Sequence, residues 1–246
     1  MIYIGCAGWS IPWEHAHAFP SEGSHLERYA QVFPAVEINS SFYRHHLPKT
    51  YARWAASTPE HFRFAVKVHR SITHHKRLRQ PELLDAFLPP VLELGDKLGV
   101  LLLQLPPGLT FDPDVVARFF EALRARFQGL VTCEPRNASW FTPEAEAVMH
   151  EFYIARVAAD PSPAPHGFEP GGWPGLVYVR LHGSPILYRS SYHPDFLQAL
   201  AGNLRTWEEK GAVWCIFNNT VEGAAIPNAL TLLQMLGQST DLGNTA

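Results

Sequence analysis

Val36-Glu37-Ile38-Asn39, Ala65-Val66-Lys67-Val68-His69 and Val179-Arg180-Leu181-His182 are short hydrophobic runs that each close on polar or charged residues. Strand side chains alternate faces, so Glu37 and Asn39 share one side, as do Lys67 and His69, and Arg180 and His182. The form recurs at Leu103-Gln104, Val131-Thr132-Cys133-Glu134, Ala159-Asp160 and Phe217-Asn218-Asn219. Such a recurrence reads as the polar floor of one site, laid down by the ends of many strands. Eight strand candidates are legible, near residues 2–6, 35–39, 62–68, 99–104, 130–134, 153–158, 176–182 and 213–217.

Helical patterns alternate with these strands. Ser24-His25-Leu26-Glu27 is a capping box, followed by an apolar stripe of Leu26, Tyr29, Ala30 and Phe33. Asp112-Pro113 and Thr142-Pro143 each place a capping side chain before a proline suited to the first helical position. A further helix is expected from about Asp195 to Lys210, closed by Gly211. Strand and helix alternating eightfold in 246 residues predict a single α/β domain over 1–246, a (β/α)8 TIM-type barrel. The sixth helix is expected to be irregular or missing, because PSPAPHGFEPGGWPG follows Asp160. No phosphate-binding glycine loop supports a doubly wound sheet instead. Residues 237–246 read as a frayed tail.

A formal net charge of -3 gives no global attraction to nucleic acid, so anion binding must be local. A basic stretch without acidic residues lies between Glu60 and Glu82, with Arg70, Lys76, Arg77 and Arg79 after the third strand. Cys6, Cys133 and Cys215 sit singly in apolar runs and read as reduced core residues. With no signal segment and no apolar run of about 20 residues, a soluble cytoplasmic protein is expected, without membrane or protein partners.

Several of these stretches, in collinear order over nearly the whole chain, resemble the signatures of the YecE-like family, domain of unknown function 72. They are Gly5-Cys6-Ala7-Gly8-Trp9-Ser10, Val36-Glu37-Ile38-Asn39-Ser40-Ser41-Phe42-Tyr43-Arg44, Phe62-Arg63-Phe64-Ala65-Val66-Lys67, Gln104-Leu105-Pro106-Pro107, Ala159-Asp160, Val179-Arg180-Leu181-His182-Gly183 and Phe217-Asn218-Asn219. The resemblance implies a TIM-type barrel and hands over no catalytic assignment. Fold likeness to endonuclease IV and the sugar isomerase barrels suggests DNA binding by analogy.

In barrels the chemistry gathers at the C-terminal strand ends. Glu37, Lys67, Glu134, Arg180 and His182 are therefore the candidate catalytic set. Trp9, Asn39, Tyr43, Arg44, His69, Gln104, Arg136, Asp160, Tyr188, Asn218 and Asn219 are candidate ligand contacts. A general acid or base from Glu37 or Glu134, with charge stabilisation by Lys67 and Arg180, suits an enzyme acting on a phosphorylated sugar, nucleotide or nucleic-acid fragment. Three other readings stand beside it. In one, Lys67 is the partner of Glu37 or Glu134 in a structural ion pair. In the second, Glu37 and Glu134 form a glycosidase pair. In the third, the chain is a non-catalytic DNA- or RNA-binding module working through Arg70, Lys76, Arg77 and Arg79. No cofactor is expected; His69, His182, Glu134, Glu37 and Asp160 are suitable ligand types for a divalent metal, but no ligand cluster has fixed spacing, and a metal-independent site is the expectation.

Overall fold

In the computed structural model, which describes residues 1–238, ten strands and seven α-helices alternate. The strands are β1 (Ile2–Cys6), β2 (Ala35–Ile38), β3 (Arg63–Lys67), β4 (Leu98–Gln104), β5 (Leu130–Glu134), β6 (Ile154–Arg156), β7 (Ala158–Asp160), β8 (Gly171–Gly172), β9 (Leu176–Leu181) and β10 (Ala212–Phe217). The helices are α1 (His25–Ala30), α2 (Pro48–Ala56), α3 (Leu84–Leu92), α4 (Pro113–Arg124), α5 (Pro143–Glu151), α6 (Pro194–Glu208) and α7 (Ala225–Leu236). The caps read from sequence are formed. Ser24 and Glu27 exchange both capping-box hydrogen bonds, Asp112 accepts from the Val115 amide, and Thr142 accepts from the Ala145 amide. No described helix is long and apolar enough to cross a membrane.

The strands do not close into the continuous barrel that the eightfold alternation predicts. They form two sheets, β1-β10-β9-β7, all parallel, and β2-β3-β4-β5-β6-β8, parallel except for β8. The ladder is interrupted in two places. Between β1 and β2 the backbones meet only at the ends, where an Ala7–Glu37 bridge forms and the Gly8 amide donates to the Glu37 carbonyl at 2.9 Å. Deeper in the seam the buried Tyr29 hydroxyl, carried by α1, accepts from the Cys6 amide at 2.8 Å and donates to the Ala35 carbonyl at 3.1 Å. A phenol thus satisfies the two backbone groups that a direct ladder would have paired. The strands still approach closely, since a Cβ on Gly5 would stand 2.1 Å from the Ala35 oxygen.

The second interruption is at Val157. The expected sixth strand divides there, with β6 pairing β5 and β7 pairing β9, while the Val157 amide donates to the Cys133 carbonyl at 2.8 Å. From Asp160 to Gly175 the chain makes turns and the two-residue β8, with no helix, in a segment whose five prolines lack an amide donor. The helix expected to reach Lys210 ends at Glu208.

Strand alternation splits the apolar residues into two layers. Ile4, Val36, Val66, Leu101, Cys133, Val179 and Cys215 face the helices, among the larger core. Ala35, Ala65, Leu102, Val157, Tyr178, Trp214 and Ile216 come from both sheets and pack between them. Trp214 lies at the bottom of this inner layer, stacked on Tyr3 at 4.8 Å and seated over Gly99, where a Cβ would meet its ring at 2.4 Å. Glu37, Lys67, Glu134 and Arg180 continue the inner faces upward and cap this layer at the C-terminal strand ends.

Candidate functional site

Arg180 stands at the centre of the cap and is fully buried. Its guanidinium forks onto Glu37, with Nε donating to Oε2 at 2.9 Å and Nη2 to Oε1 at 2.6 Å. Nη1 donates to Glu134 Oε2. Glu37 also accepts from the Tyr178 hydroxyl at 3.0 Å, and Glu134 is paired with Arg136 Nη2 at 2.5 Å. The two carboxylates are thus matched by two guanidinium groups. Burial alone would raise the Glu134 carboxyl, but Arg180, His182 and Arg136 outweigh it and hold it well below the usual carboxylate range. Burial likewise opposes charge on Arg180, and Glu134 and Glu37 override it, keeping the guanidinium protonated.

His182 sits against this pair. Its Nε2 lies 2.8 Å from Glu134 Oε1 and 2.7 Å from Arg136 Nη2, so an acceptor and a donor meet one ring nitrogen. Its Nδ1 is 3.0 Å from the Asn218 amide, which presents either a donor or an acceptor according to its flip. Two neutral tautomers therefore fit. A proton on Nε2 goes to Glu134; a proton on Nδ1 leaves Nε2 to accept from Arg136. Burial holds the imidazole below its usual pKa in spite of Glu134, which favours the neutral ring.

Lys67, the last residue of β3, is 5% exposed but takes no part in the ion-pair network. Among the described residues no carboxylate oxygen lies within 4.0 Å of its ammonium, which rests 4.1 Å over the ring of Phe42. The structural pairing of Lys67 with Glu37 or Glu134 is accordingly not formed, because the Arg180 fork occupies both carboxylates. Burial, with the like charge of Arg180, brings the Lys67 amine down to about 8, against the pull of Glu37 and Glu134. Nearby His74, packed at 4.8 Å on Phe42, is pushed to about 4 by burial, Lys67 and His75.

The other predicted contacts divide into two groups. Arg136 and Asn218 join the network, Gln104 stands beside Glu134 in register, and Asn39 is half-buried with a side-chain oxygen that has no partner. Tyr188 lies edge-on to His182 at 5.7 Å. Asp160 instead accepts from Tyr192 at 2.7 Å, and Asn219 donates to the Ser190 carbonyl and to Asn228, so both brace the segment after β9. Trp9 packs on Trp54, and His69 stacks on His45 at 4.0 Å. Tyr43, Arg44, Arg70, Lys76, Arg77 and Arg79 are exposed, with Arg79 3.5 Å from Asp112. Sequence reading missed Tyr178 as a site residue, although it faces inward two positions before Arg180.

No group of three or more His, Cys, Asp or Glu among the described residues is placed to hold a metal ion. A cavity of about 410 Å3 lies away from this network, at the start of β9, and its charged lining residues Glu169 and Lys210 are exposed. A glycosidase acid needs a raised pKa. Glu134 is shifted the opposite way, and a guanidinium separates it from Glu37.

The profile of the family described as "Protein of unknown function DUF72" matches residues 3–245. The chain is 35% identical to the UPF0759 protein YunF of Bacillus subtilis (strain 168), over 96% of this chain and 95% of that protein. It is 32% identical to the UPF0759 protein YecE of Escherichia coli (strain K12), over 66% of this chain and 60% of that protein. Among solved structures, a DUF72 family protein from Enterococcus faecalis V583 superposes with a TM-score of 0.83 at 25% identity, covering 97% of this chain and 96% of that one. A DUF72 family protein from Thermotoga maritima MSB8 gives 0.77 at 24% identity, covering 96% and 99%.

Proposed function

We propose, since the chain belongs to the DUF72 family of proteins of unknown function and inherits no activity from it, that it is a metal-independent enzyme. Its substrate is a small phosphorylated or nucleotide-derived molecule bound at the C-terminal strand ends, and Lys67 transfers the proton. The observation that carries this reading is a buried amine with no carboxylate partner, set beside a charge-balanced ionic network. Lysine has a useful proton-transfer range only when its pKa falls toward neutrality, and burial brings Lys67 to about 8.

The carboxylates take a different role from the one their residue type suggests. Glu37 and Glu134 are counter-ions that keep Arg180 and Arg136 in place, and His182 is the group able to exchange a proton between two tautomers. Arg136, through Nη1, which makes no hydrogen bond among the described residues, then meets an anion, with the exposed Arg70 and Lys76 raising the local anion concentration. The carboxylates that a resident cation would need are already held by guanidinium groups, which favours chemistry without one.

Thermal shift with inorganic phosphate, ribose 5-phosphate, AMP and a short oligonucleotide tests this reading. A small phosphorylated compound should raise the melting temperature of wild type and fail to do so in Arg136→Gln. If the oligonucleotide alone shifts it, and both salt and charge reversal at Arg70, Lys76, Arg77 and Arg79 remove the effect, the chain is a nucleic-acid-binding module instead. The exposure of all four cations on one loop favours that second reading.

A further inference from the structure

We infer that Lys67 is an imine-forming amine, and that the anionic molecule bound at the strand ends carries an aldehyde or ketone. This rests on the preceding reading of an anionic ligand at the strand ends and gives Lys67 a covalent role there in place of simple proton transfer. Four observations support it. Lys67 Nζ has no carboxylate within ion-pair distance, because Arg180 takes both Glu37 and Glu134. One side of the amine is covered by Phe42 at 4.1 Å, so a reacting carbon must come from the other side. Arg136 is partly exposed and its Nη1 makes no hydrogen bond among the described residues, although the same guanidinium holds Glu134 and His182 through Nη2. Asn39, directly after the end of β2, is half-buried with an unpaired side-chain oxygen. A nucleophile, a cationic donor and an unpaired acceptor therefore stand at the C-terminal strand ends. They match a carbonyl compound with an anionic group and a hydroxyl.

The depressed pKa supplies a substantial neutral fraction at working pH, which attack requires. The step balances without a further reagent. The Nζ lone pair attacks the carbonyl carbon, and the carbonyl π pair moves onto oxygen, which takes a proton. The resulting carbinolamine loses that oxygen as water, both hydrogens of the neutral amine leaving with it overall, and a C=N bond remains. A proton from solvent makes it an iminium.

The experiment is borohydride trapping on the full-length protein, with glyceraldehyde 3-phosphate as probe, unphosphorylated glyceraldehyde as control, and peptide mass mapping. Hydride reduces the C=N bond to a stable secondary amine. We expect one adduct, at Lys67, faster with the phosphorylated aldehyde by roughly tenfold. Arg136→Gln should remove that preference while the adduct still forms at Lys67. Lys67→Arg, which keeps charge and bulk, should abolish the adduct with the fold retained by circular dichroism. Labelling spread over exposed lysines such as Lys49 and Lys76, with Lys67 unmodified, overturns the inference. In that case a retained thermal shift with phosphate leaves the anion-binding reading standing, whereas loss of both removes the two together.

Discussion

Replacing Arg180 by methionine tests the claim that a balanced ionic cluster holds the two sheets together at the site. Arg180 is fully buried, on β9 in one sheet, and reaches Glu37 and Glu134 on strands of the other. Two carboxylates and two guanidinium groups are matched in wild type. Methionine fills most of the volume but leaves Glu37 buried with no cation within ion-pair distance among the described residues. Removing one partner of a buried pair costs about 3–5 kcal/mol. For a domain of this size that corresponds to a fall in melting temperature of roughly 6–20 °C. Urea denaturation followed by tryptophan fluorescence reads it directly. The informative variant is Arg180→Met combined with Glu37→Gln, which removes the unpaired carboxylate and keeps an acceptor for Tyr178. It should be more stable than Arg180→Met alone by about 1–3 kcal/mol. If Arg180→Met unfolds within about 1 kcal/mol of wild type, or if the double variant is no better than the single one, the reasoning fails.

Three further outcomes are expected. Lys67 has a folded pKa below its unfolded value, so the unfolded chain binds more protons between about pH 8 and 10.5 and stability rises with pH there; Lys67→Met should therefore be stabilising at pH 7 by up to roughly 3 kcal/mol and much less so at pH 10.5, and a gain that is flat with pH would refute it. Glu134 is depressed, so its contribution is full above the unfolded carboxylate pKa of about 4.3 and is lost as pH falls below it; the acid limb of a melting curve should lose this component in Glu134→Gln, and an unchanged limb would contradict the assignment. Tyr29→Phe should destabilise by about 1–3 kcal/mol for each stranded backbone group at Cys6 and Ala35, with amide exchange quickening at Cys6 and not at Ile4.

Alternation along single strands made the polar floor legible, because a period of two needs no tertiary information. Glu37, Glu134, Arg180 and His182 are assembled by that rule. The caps of α1, α4 and α5 were legible for the same reason, each being a local hydrogen bond within four residues. Partner choice was not legible. Lysine and arginine both suit a buried carboxylate, and only the three-dimensional reach from β9 gives Glu37 and Glu134 to Arg180 and leaves Lys67 alone. Sheet closure failed for a comparable reason. Tyr29 sits in an apolar helical stripe and reads as packing, yet its hydroxyl displaces a strand ladder from 6 residues away in sequence. Asp160 and Asn219 have the residue types of ligand contacts, but Tyr192 and Asn228 claim them through loop geometry that strand patterning does not encode.

Trp214, wedged over Gly99 and stacked on Tyr3, turns the inner layer into a cul-de-sac. Below the ionic cluster lies only close-packed side chain, so solvent meets Lys67 from the strand-end side. Whatever reaches the amine must depart by the same doorway, and arrival and departure are mutually exclusive events. A ligand seated there would therefore shut the protons of Lys67 off from solvent, which side-chain exchange would register as a slowing.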